Sequence, residues 1–177
     1  MITATPRPAP LSPAPLSPAL LAPKPSVRSA RAGDAAALAG LSRPFMRSGA
    51  LRERPASLYA THAADFLVAE AAGRLDGCVG LRVHPAEPGE CRGSAGVLYN
   101  FCVAAHSQGH GVGAALLRAV LAMARAQSLG ALFTATTGDG ALFLRYGFAP
   151  STAGLAPRSW AESLDPRRNA RILARVL

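Results

Sequence analysis

A glycine-rich segment connects a strongly apolar run to the longest amphipathic stretch of the chain. It reads Gln108-Gly109-His110-Gly111-Val112-Gly113 and follows the apolar residues 97–103. Glycine lets the backbone approach a ligand closely, and the free N–H groups at a helix start attract phosphate oxygens. The segment lacks the Gly-Lys-Ser/Thr of a P-loop and the Gly-x-Gly-x-x-Gly spacing of a dinucleotide site. It predicts a pyrophosphate site, although a turn that only packs a helix closely against a strand would give the same pattern.

Arginine dominates the charge of the chain. Of the 19 basic residues, all but Lys24 are arginine, and against 10 acidic residues they give a net charge of +9. This charge indicates an anionic partner. The arginines are scattered and aromatic residues make up only 6% of the chain, which disfavours nucleic acid. A small polyanionic ligand explains the charge at least as well, and so does an arginine-rich surface without any function.

The chain divides into a tail and one domain. Residues 1–25 hold eight of the fifteen prolines, a density that prevents both a helix and a hydrogen-bonded strand. We predict a disordered or polyproline-like tail over 1–25 and a single domain over 26–177. No apolar run is long enough to span a membrane, and no secretory signal is recognisable. The three cysteines contain no close pair, which favours a reducing cytoplasm.

Apolar periodicity predicts alternating strands and helices within the domain. Strands are expected over 27–31, 66–69, 78–81, 97–103, 131–136 and 172–177, with a hairpin turn over 73–77 and a loop over 84–96. Helices are expected after a Gly33-Asp34 N-cap with a break near Pro44, from Pro55 onwards, over 113–129 and over 141–146. The order is that of a mixed α/β domain, with hairpins before the long helix and crossovers after it.

Three segments together resemble one enzyme family. The pattern Gln108-x-x-Gly111-x-Gly113 is similar to the acetyl-CoA pyrophosphate loop of the GNAT N-acetyltransferases. The segments 65–81 and 141–148 resemble that family's central hairpin and closing helix-to-strand element. The resemblance covers about residues 26–150. It implies a mixed, mostly antiparallel sheet flanked by helices, with the fourth and fifth strands splayed around acetyl-CoA.

The resemblance also implies the cofactor site and the type of reaction. The co-substrate would be acetyl-CoA, with no metal, and a small-molecule amine would attack the thioester directly; a homodimer stays open. The strand segment 101–103 would hold the pantetheine arm and turn the N–H of Val103 or Cys102 toward the oxyanion. The implied cofactor-binding residues are Phe101, Cys102, Val103, Gln108, Gly109, His110, Gly111, Val112 and Gly113.

Proton transfer is where the chain departs from the family pattern. The position of the family's frequent glutamate reads Val97, and that of its tyrosine reads Phe143. An amine must lose a proton before it attacks, so Glu70 and Tyr99 are the candidates, as a base and as a group that orders water. Cys102 has no histidine near it in sequence, which disfavours a covalent acetyl-cysteine intermediate.

Within the family, the segments 44–54, 132–137 and 168–173 resemble the acetyltransferase domain of N-acetylglutamate synthase. This implies an acidic amino acid, L-glutamate, as the acceptor, in arginine biosynthesis. Two alternatives remain: a detoxifying acetyltransferase acting on an arsenical or phosphinic amino acid, and a non-catalytic acyl-CoA sensor. Guanidinium forks suit two planar carboxylates. The implied substrate-binding residues are Leu51, Arg52 or Arg54, Asn100 and, as the main carboxylate ligand, Arg168.

Overall fold

The computed structural model describes residues 25–86 and 93–177. The tail predicted over 1–25 therefore lies, apart from Pro25, outside the described residues, as does the middle of the loop predicted over 84–96. The described strands are β1 (Ser26–Ser29), β2 (Phe66–Ala71), β3 (Arg74–His84), β4 (Ala95–Val103), β5 (Ala131–Thr136), β6 (Ala149–Pro150) and β7 (Arg171–Val176). The described helices are α1 (Ala35–Arg47), α2 (Ala56–Thr61), α3 (Val112–Ala126), α4 (Ala141–Arg145) and α5 (Arg158–Glu162).

A single seven-stranded sheet forms the centre of the fold. Its strand order is β1-β2-β3-β4-β5-β7-β6, and only the β4–β5 pair is parallel. Helix α3 connects these two parallel strands and buries Leu116, Leu117 and Val120 in one apolar cluster. Helices α1 and α2 pack into a second cluster through Leu38 and Tyr59. The mixed, mostly antiparallel sheet flanked by helices is as predicted.

The parallel pair separates along its length. β4 pairs with β5 only from Ala95 to Val97, opposite Ala131 to Phe133, although both strands continue. At the point of separation the Thr134 hydroxyl donates to the Leu98 carbonyl oxygen at 3.4 Å. The rest of β4, residues 98–103, therefore presents one backbone edge to an open cleft. This is the splayed arrangement of the fourth and fifth strands that the family resemblance implies.

β4 also carries a β-bulge beside this cleft. Cys78 pairs with Cys102 and Gly80 with Tyr99, so three steps along β4 match two along β3. The extra residue is accommodated at Asn100, which has a φ of 52°. Asparagine tolerates this left-handed conformation better than most residues with a side chain. A bulge bends and twists a strand, and here it does so next to the cleft.

Two local predictions are wrong in detail. The hairpin turn is not 73–77 but the pair Ala72 and Gly73, whose φ values are 50° and 74°. Such a two-residue turn with positive φ at both positions matches the twist of the flanking strands, so β3 begins already at Arg74. Helix α1 does not break at Pro44 but runs through it to Arg47. Phe45 packs against the second apolar cluster, which holds this last turn in place.

Candidate active site

A cavity of about 780 Å³ lies between the α1–α2 loop, the strands β3 and β4, and the segment that precedes β7. The segments that line this cavity are far apart in sequence, and the folding of the chain into the sheet brings them together. Phe133 and Trp160, with ring centroids 6.3 Å apart, link the strand side to the α5 side. The cavity brings together all residues predicted for the acceptor, and Tyr99 as well: Leu51, Arg52, Arg54, Tyr99, Asn100 and Arg168.

The cavity is positively charged. Four guanidinium groups line it, against the carboxylates of Glu53 and Asp165. The guanidinium groups belong to Arg52, Arg54, Arg82 and Arg168. A concave site with an excess of cations concentrates and orients anionic ligands. The charge of the cavity therefore favours an acceptor that carries carboxylates.

Arg54 is a partly buried cation of this cavity without a carboxylate partner among the described residues. It is half-buried, and its guanidinium carbon lies 4.9 Å from the centre of the Tyr99 ring. Burial lowers the pKa of Arg54, because the charged form loses hydration. Among the described residues no carboxylate forms an ion pair with it. A ligand carboxylate would supply the missing charge, whereas Arg52 is exposed.

Tyr99 is held between charged groups rather than free to exchange a proton. Its hydroxyl donates to Asp65 at 3.1 Å, and Arg82 lies 5.3 Å from its ring on the β3 side. Burial, together with the negative charge of Asp65, raises the pKa of Tyr99 far above its ordinary value. Tyr99 therefore stays protonated at neutral pH. It supports the guanidinium of Arg54 through its ring face.

Arg168 lies just before β7, in the short 3₁₀ turn Pro166–Arg168, and not in the final strand as the sequence resemblance suggested. One guanidinium nitrogen, Nη2, donates to the carbonyl oxygens of Gly49 and Ala50 at 2.9 and 3.1 Å. These bonds tie the segment before β7 to the loop that carries Arg52 and Arg54. The other nitrogens of Arg168 form no hydrogen bond with described residues, so they can still bind a carboxylate.

Asn100 lines the cavity and also holds the bulge in place. Its side chain is buried; Oδ1 accepts from the Tyr59 hydroxyl at 3.2 Å and Nδ2 donates to Ser42 Oγ at 2.8 Å. These bonds tie the β4 bulge to helices α1 and α2. The predicted contact of Asn100 with the acceptor stays a prediction.

Glu70 does not lie at the cavity. Its carboxylate accepts from Arg28 Nε at 2.9 Å at the β1 edge, and it is absent from the described lining residues. Arg28 also binds Asp34 at 2.7 Å, so both acidic groups share one arginine. This position gives no support to the prediction that Glu70 removes the amine proton, which stays a prediction.

His84 is a lining residue that sequence reasoning missed. Its Nδ1 lies 3.2 Å from Ser159 Oγ, while its Nε2 is buried and forms no hydrogen bond with the described residues. Burial and the positive charge of Arg82 lower the pKa of His84, so the ring is neutral at pH 7. The alternation of apolar and polar residues in Leu81-Arg82-Val83-His84 could have indicated this position, because it is typical of a strand and extends β3 to His84.

The cleft edge of β4 offers backbone donors at alternate residues. The N–H of Ala104 donates to the backbone carbonyl oxygen of Asp76 on β3 at 2.8 Å. Successive residues of a strand direct their N–H groups to opposite edges. The N–H of Val103 therefore faces the cleft, whereas that of Cys102 faces β3. The Gln108 side chain donates to the Val103 carbonyl oxygen at 3.0 Å on the same edge. Of the two residues expected to supply the N–H, Val103 is the one whose N–H faces the cleft.

The side chains of β4 at this point pack inside the protein. Cys102 is buried with its sulfur 3.5 Å from that of Cys78. The Cys102 side chain is therefore a core group, in agreement with the argument against a covalent intermediate. Phe101 packs edge-on against Phe143, with 5.3 Å between the ring centroids, and closes the α4 side of the cleft.

The glycine loop, residues 108–113, has the geometry of an anion cradle. Gly109 and Gly111 have φ values of 78° and 82°, and a Cβ at either position would point into open space. His110 Nδ1 lies 2.8 Å from the Gln108 carbonyl oxygen. Gly111 directly precedes α3, whose first residue, Val112, is buried, and Gly113 packs near Leu142. The open space beside the glycines and the free N–H groups of a 15-residue helix fit a pyrophosphate.

Among residues 25–86 and 93–177, no group of three or more His, Cys, Asp or Glu side chains could hold a metal ion. None of the helices in these ranges is long and apolar enough to cross a bilayer.

Comparison with known proteins agrees with this geometry. Residues 35–148 match the model of the acetyltransferase (GNAT) family. An amino-acid acetyltransferase of Ralstonia nicotianae is 31% identical over 151 residues, which cover 85% of this chain and 32% of that protein. The chain thus spans about a third of the length of the curated relatives it matches.

Solved structures show the same domain. N-acetylglutamate synthase from Neisseria gonorrhoeae, complexed with coenzyme A and N-acetyl-glutamate, superposes with a TM-score of 0.76 at 28% identity, over 86% of this chain and 35% of that one. A Mycobacterium tuberculosis protein in complex with CoA gives a TM-score of 0.71 at 22% identity, over 86% and 99% of the two chains, and shares the fold. With its splayed parallel strands, bulged β4 and glycine loop, the chain belongs to the GNAT acetyltransferase family.

Proposed function

We propose that this protein transfers the acetyl group of acetyl-CoA to the α-amine of an acidic amino acid, L-glutamate, as a cytoplasmic step of arginine biosynthesis. The observation that carries the acceptor class is the half-buried Arg54, which has no carboxylate partner among the described residues, facing the same cavity as Arg168. Two guanidinium groups on two segments match an acceptor with two carboxylates. The named relatives, an amino-acid acetyltransferase and N-acetylglutamate synthase, support this class.

In this proposal acetyl-CoA lies in the cleft between β4 and β5. The glycine loop binds the pyrophosphate, and the edge of β4 next to Phe101 and Val103 binds the pantetheine arm. The acceptor ammonium first loses a proton to solvent water, and the free amine attacks the thioester carbonyl carbon. The carbon–sulfur bond then breaks, the nitrogen loses its second proton to solvent, and the thiolate of CoA leaves and takes up a proton. The Val103 N–H donates to the carbonyl oxygen as negative charge develops there. Tyr99 contributes as a support for Arg54 and not as a base.

Steady-state kinetics tests the acceptor class. Consumption of acetyl-CoA is measured with glutamate, aspartate, a neutral amino acid, and an arsenical or phosphinic amino acid. We expect a higher kcat/KM with glutamate than with the neutral amino acid, because glutamate offers a second carboxylate that a guanidinium can pair. A preference for the neutral amino acid would contradict the proposal, and a preference for the arsenical or phosphinic compound would indicate detoxification. Binding of acetyl-CoA without turnover over the whole panel would indicate a sensor.

A further inference from the structure

Asp76 is a buried charge that the proposed transfer does not use. The residue is 4% exposed, at the start of β3. Its carboxylate accepts from Arg74 Nε at 3.0 Å and from Ser107 Oγ at 2.9 Å, and it lies 3.1 Å from His106 Nε2. A carboxylate is buried at a large free-energy cost unless charged or polar partners surround it. The identity of these partners therefore shows what Asp76 does.

The partners attach Asp76 to the glycine loop. His106 and Ser107 belong to the 3₁₀ turn Ala105–Ser107, which leads directly into residues 108–113. The main chain adds a further bond, from the Ala104 N–H to the Asp76 carbonyl oxygen. The other hydrogen bonds that the described residues make with 104–111 lie within the loop or join it to Val103 or to α3. Arg74 Nη2 lies 2.7 Å from His106 Nε2, but when this nitrogen carries a proton and donates to Asp76 it cannot also accept from Arg74. Asp76 is thus the main attachment of the loop to β3.

The charge of this cluster suits a neighbouring anion. The side chains of Arg74 and His106 are 67% and 53% exposed, whereas that of Asp76 is 6% exposed. The carboxylate of Asp76 is therefore buried in the protein, whereas the side chains of Arg74 and His106 lie at its surface. Burial alone would raise the pKa of Asp76, but the hydrogen bonds from Arg74, Ser107 and His106 outweigh it and keep the pKa below its ordinary value. Asp76 remains ionised at neutral pH, and Arg74 offsets its charge toward a bound phosphate.

We infer that Asp76 is a positioning residue for coenzyme A, which holds the turn 105–107 so that the backbone N–H groups of the glycine loop stay directed at the pyrophosphate. The inference rests on the loop assignment proposed above and is independent of the acceptor. Without the Asp76 carboxylate the loop keeps its glycines and the backbone bond of Ala104 to β3, but His106 and Ser107 lose their side-chain partner on β3. Its N–H groups must then be ordered when the ligand binds, which weakens binding.

The test is titration calorimetry with coenzyme A in the absence of an acceptor. Asp76→Asn keeps the shape of the side chain but removes its charge, and we expect roughly tenfold weaker binding. Ser107→Ala removes one of the bonds and should weaken binding about threefold. Asp34→Asn is the matched control, because Asp34 is also bound by an arginine, Arg28, but lies near the β1 edge. Its affinity for coenzyme A should equal that of the unaltered protein.

Pantetheine separates positioning from a general loss of structure. It lacks the pyrophosphate, so its affinity, measured by competition, should be the same in Asp76→Asn, Ser107→Ala and the unaltered protein. Equal losses of pantetheine and coenzyme A binding would overturn the inference. If Asp76→Asn does not fold, Ser107→Ala decides alone, and undiminished coenzyme A affinity in that variant overturns the inference.

Gly111→Asp distinguishes a failure of this inference from a failure of the loop assignment. It adds bulk and negative charge at a φ of 82°, where the phosphate is expected. If this variant loses coenzyme A binding while Asp76→Asn and Ser107→Ala do not, the loop assignment stands and Asp76 is not a positioning residue. If Gly111→Asp binds coenzyme A normally, the loop assignment fails, and the inference fails with it.

Discussion

The guanidinium of Arg168 donates to the carbonyl oxygens of Gly49 and Ala50 and also lines the cavity. Its removal should therefore eliminate both a contact with the acceptor carboxylate and the hydrogen bonds that hold the α1–α2 loop. We expect Arg168→Ala to lower kcat/KM for the acceptor roughly ten- to a hundredfold, with little change in acetyl-CoA affinity. Arg168→Lys should recover only part of the loss, because an ammonium cannot form a planar fork. Steady-state kinetics with glutamate measures both.

The neighbouring residue provides the control. Arg167 has the same chemistry, but its side chain is exposed and does not line the cavity. Arg167→Ala should leave kcat/KM within about twofold of the unaltered protein, as is usual for surface substitutions. Equal losses in the two variants would show that net charge, and not the cavity, determines the rate.

Arg54 allows a second prediction at the residue scale. Its guanidinium is half-buried and rests on the Tyr99 ring without a carboxylate partner among the described residues. Arg54→Met keeps the apolar length of the side chain and removes the buried charge, so the protein should be as stable as before or slightly more stable. The acceptor KM should nevertheless rise about tenfold or more. Thermal unfolding and kinetics together test this, and a fall in stability with an unchanged KM would contradict it.

At the scale of elements, the bulge in β4 depends on Asn100. Its φ of 52° suits glycine and asparagine, while its side chain joins Tyr59 and Ser42. Asn100→Gly and Asn100→Ala remove the same hydrogen bonds, but only glycine adopts this conformation without strain. We expect Asn100→Ala to be less stable than Asn100→Gly by about 1 kcal/mol, the reverse of the usual order in a strand. Urea unfolding of the two variants measures the difference, and the usual order would show that the bulge does not require a left-handed residue.

The same element connects stability with catalysis. Tyr59→Phe removes one bond to Asn100 and leaves the backbone sequence of β4 intact. It should cost about 1–3 kcal/mol of unfolding free energy, because the buried Asn100 Oδ1 loses its donor. If the bulge positions the Val103 N–H, kcat should fall in this variant while the KM of the acceptor changes little. A variant that is less stable but has an unchanged kcat would show that the network supports packing alone.

At the scale of the whole molecule, acid should weaken the fold partly through Asp34. The hydrogen bond from Arg28, followed by that from the Arg31 backbone, lowers the pKa of Asp34 to about 2. Because the folded pKa lies below the unfolded one, about 3.9, its contribution is complete above that value and is lost as the pH falls toward 2. Asp34→Asn should therefore be less stable by about 1 kcal/mol at pH 7, and this difference should shrink as the pH falls from about 4 through 2. Urea unfolding at several pH values tests this, and a difference that stays the same from pH 7 to pH 2 would contradict it.

The remaining whole-molecule prediction concerns residues 1–24. Both described apolar clusters are formed by residues from Val27 onwards. We therefore expect removal of residues 1–24 to leave the melting temperature and the activity unchanged. Thermal unfolding of the shortened protein is the measurement, and a decrease of many degrees would show that this segment packs on the domain.

The sequence alone was sufficient for features that depend on contiguous residues. The glycine loop, the amphipathic helix α3 and the strand pattern of the hairpin each lie within one short segment, and their periodicity and glycine positions reflect local backbone geometry. These segments also carry the family resemblance, so the fold and the cofactor cleft could be predicted together. The exact turn at Ala72 and Gly73 could not, since alanine rarely adopts a positive φ.

Only the tertiary structure decided which side chains meet. Glu70 binds Arg28 on the neighbouring strand, and the Asn100 amide hydrogen-bonds to side chains on helices α1 and α2. Asp76 contacts a loop residue that is 30 residues away in sequence. These partners follow from sheet order, from the face on which each residue lies, and from the bulge that changes the β3–β4 register. A polar side chain acquires its function from its partners, and spacing along the chain does not specify partners on other strands. The cavity lined by Arg54, Arg168 and His84 is a product of that assembly.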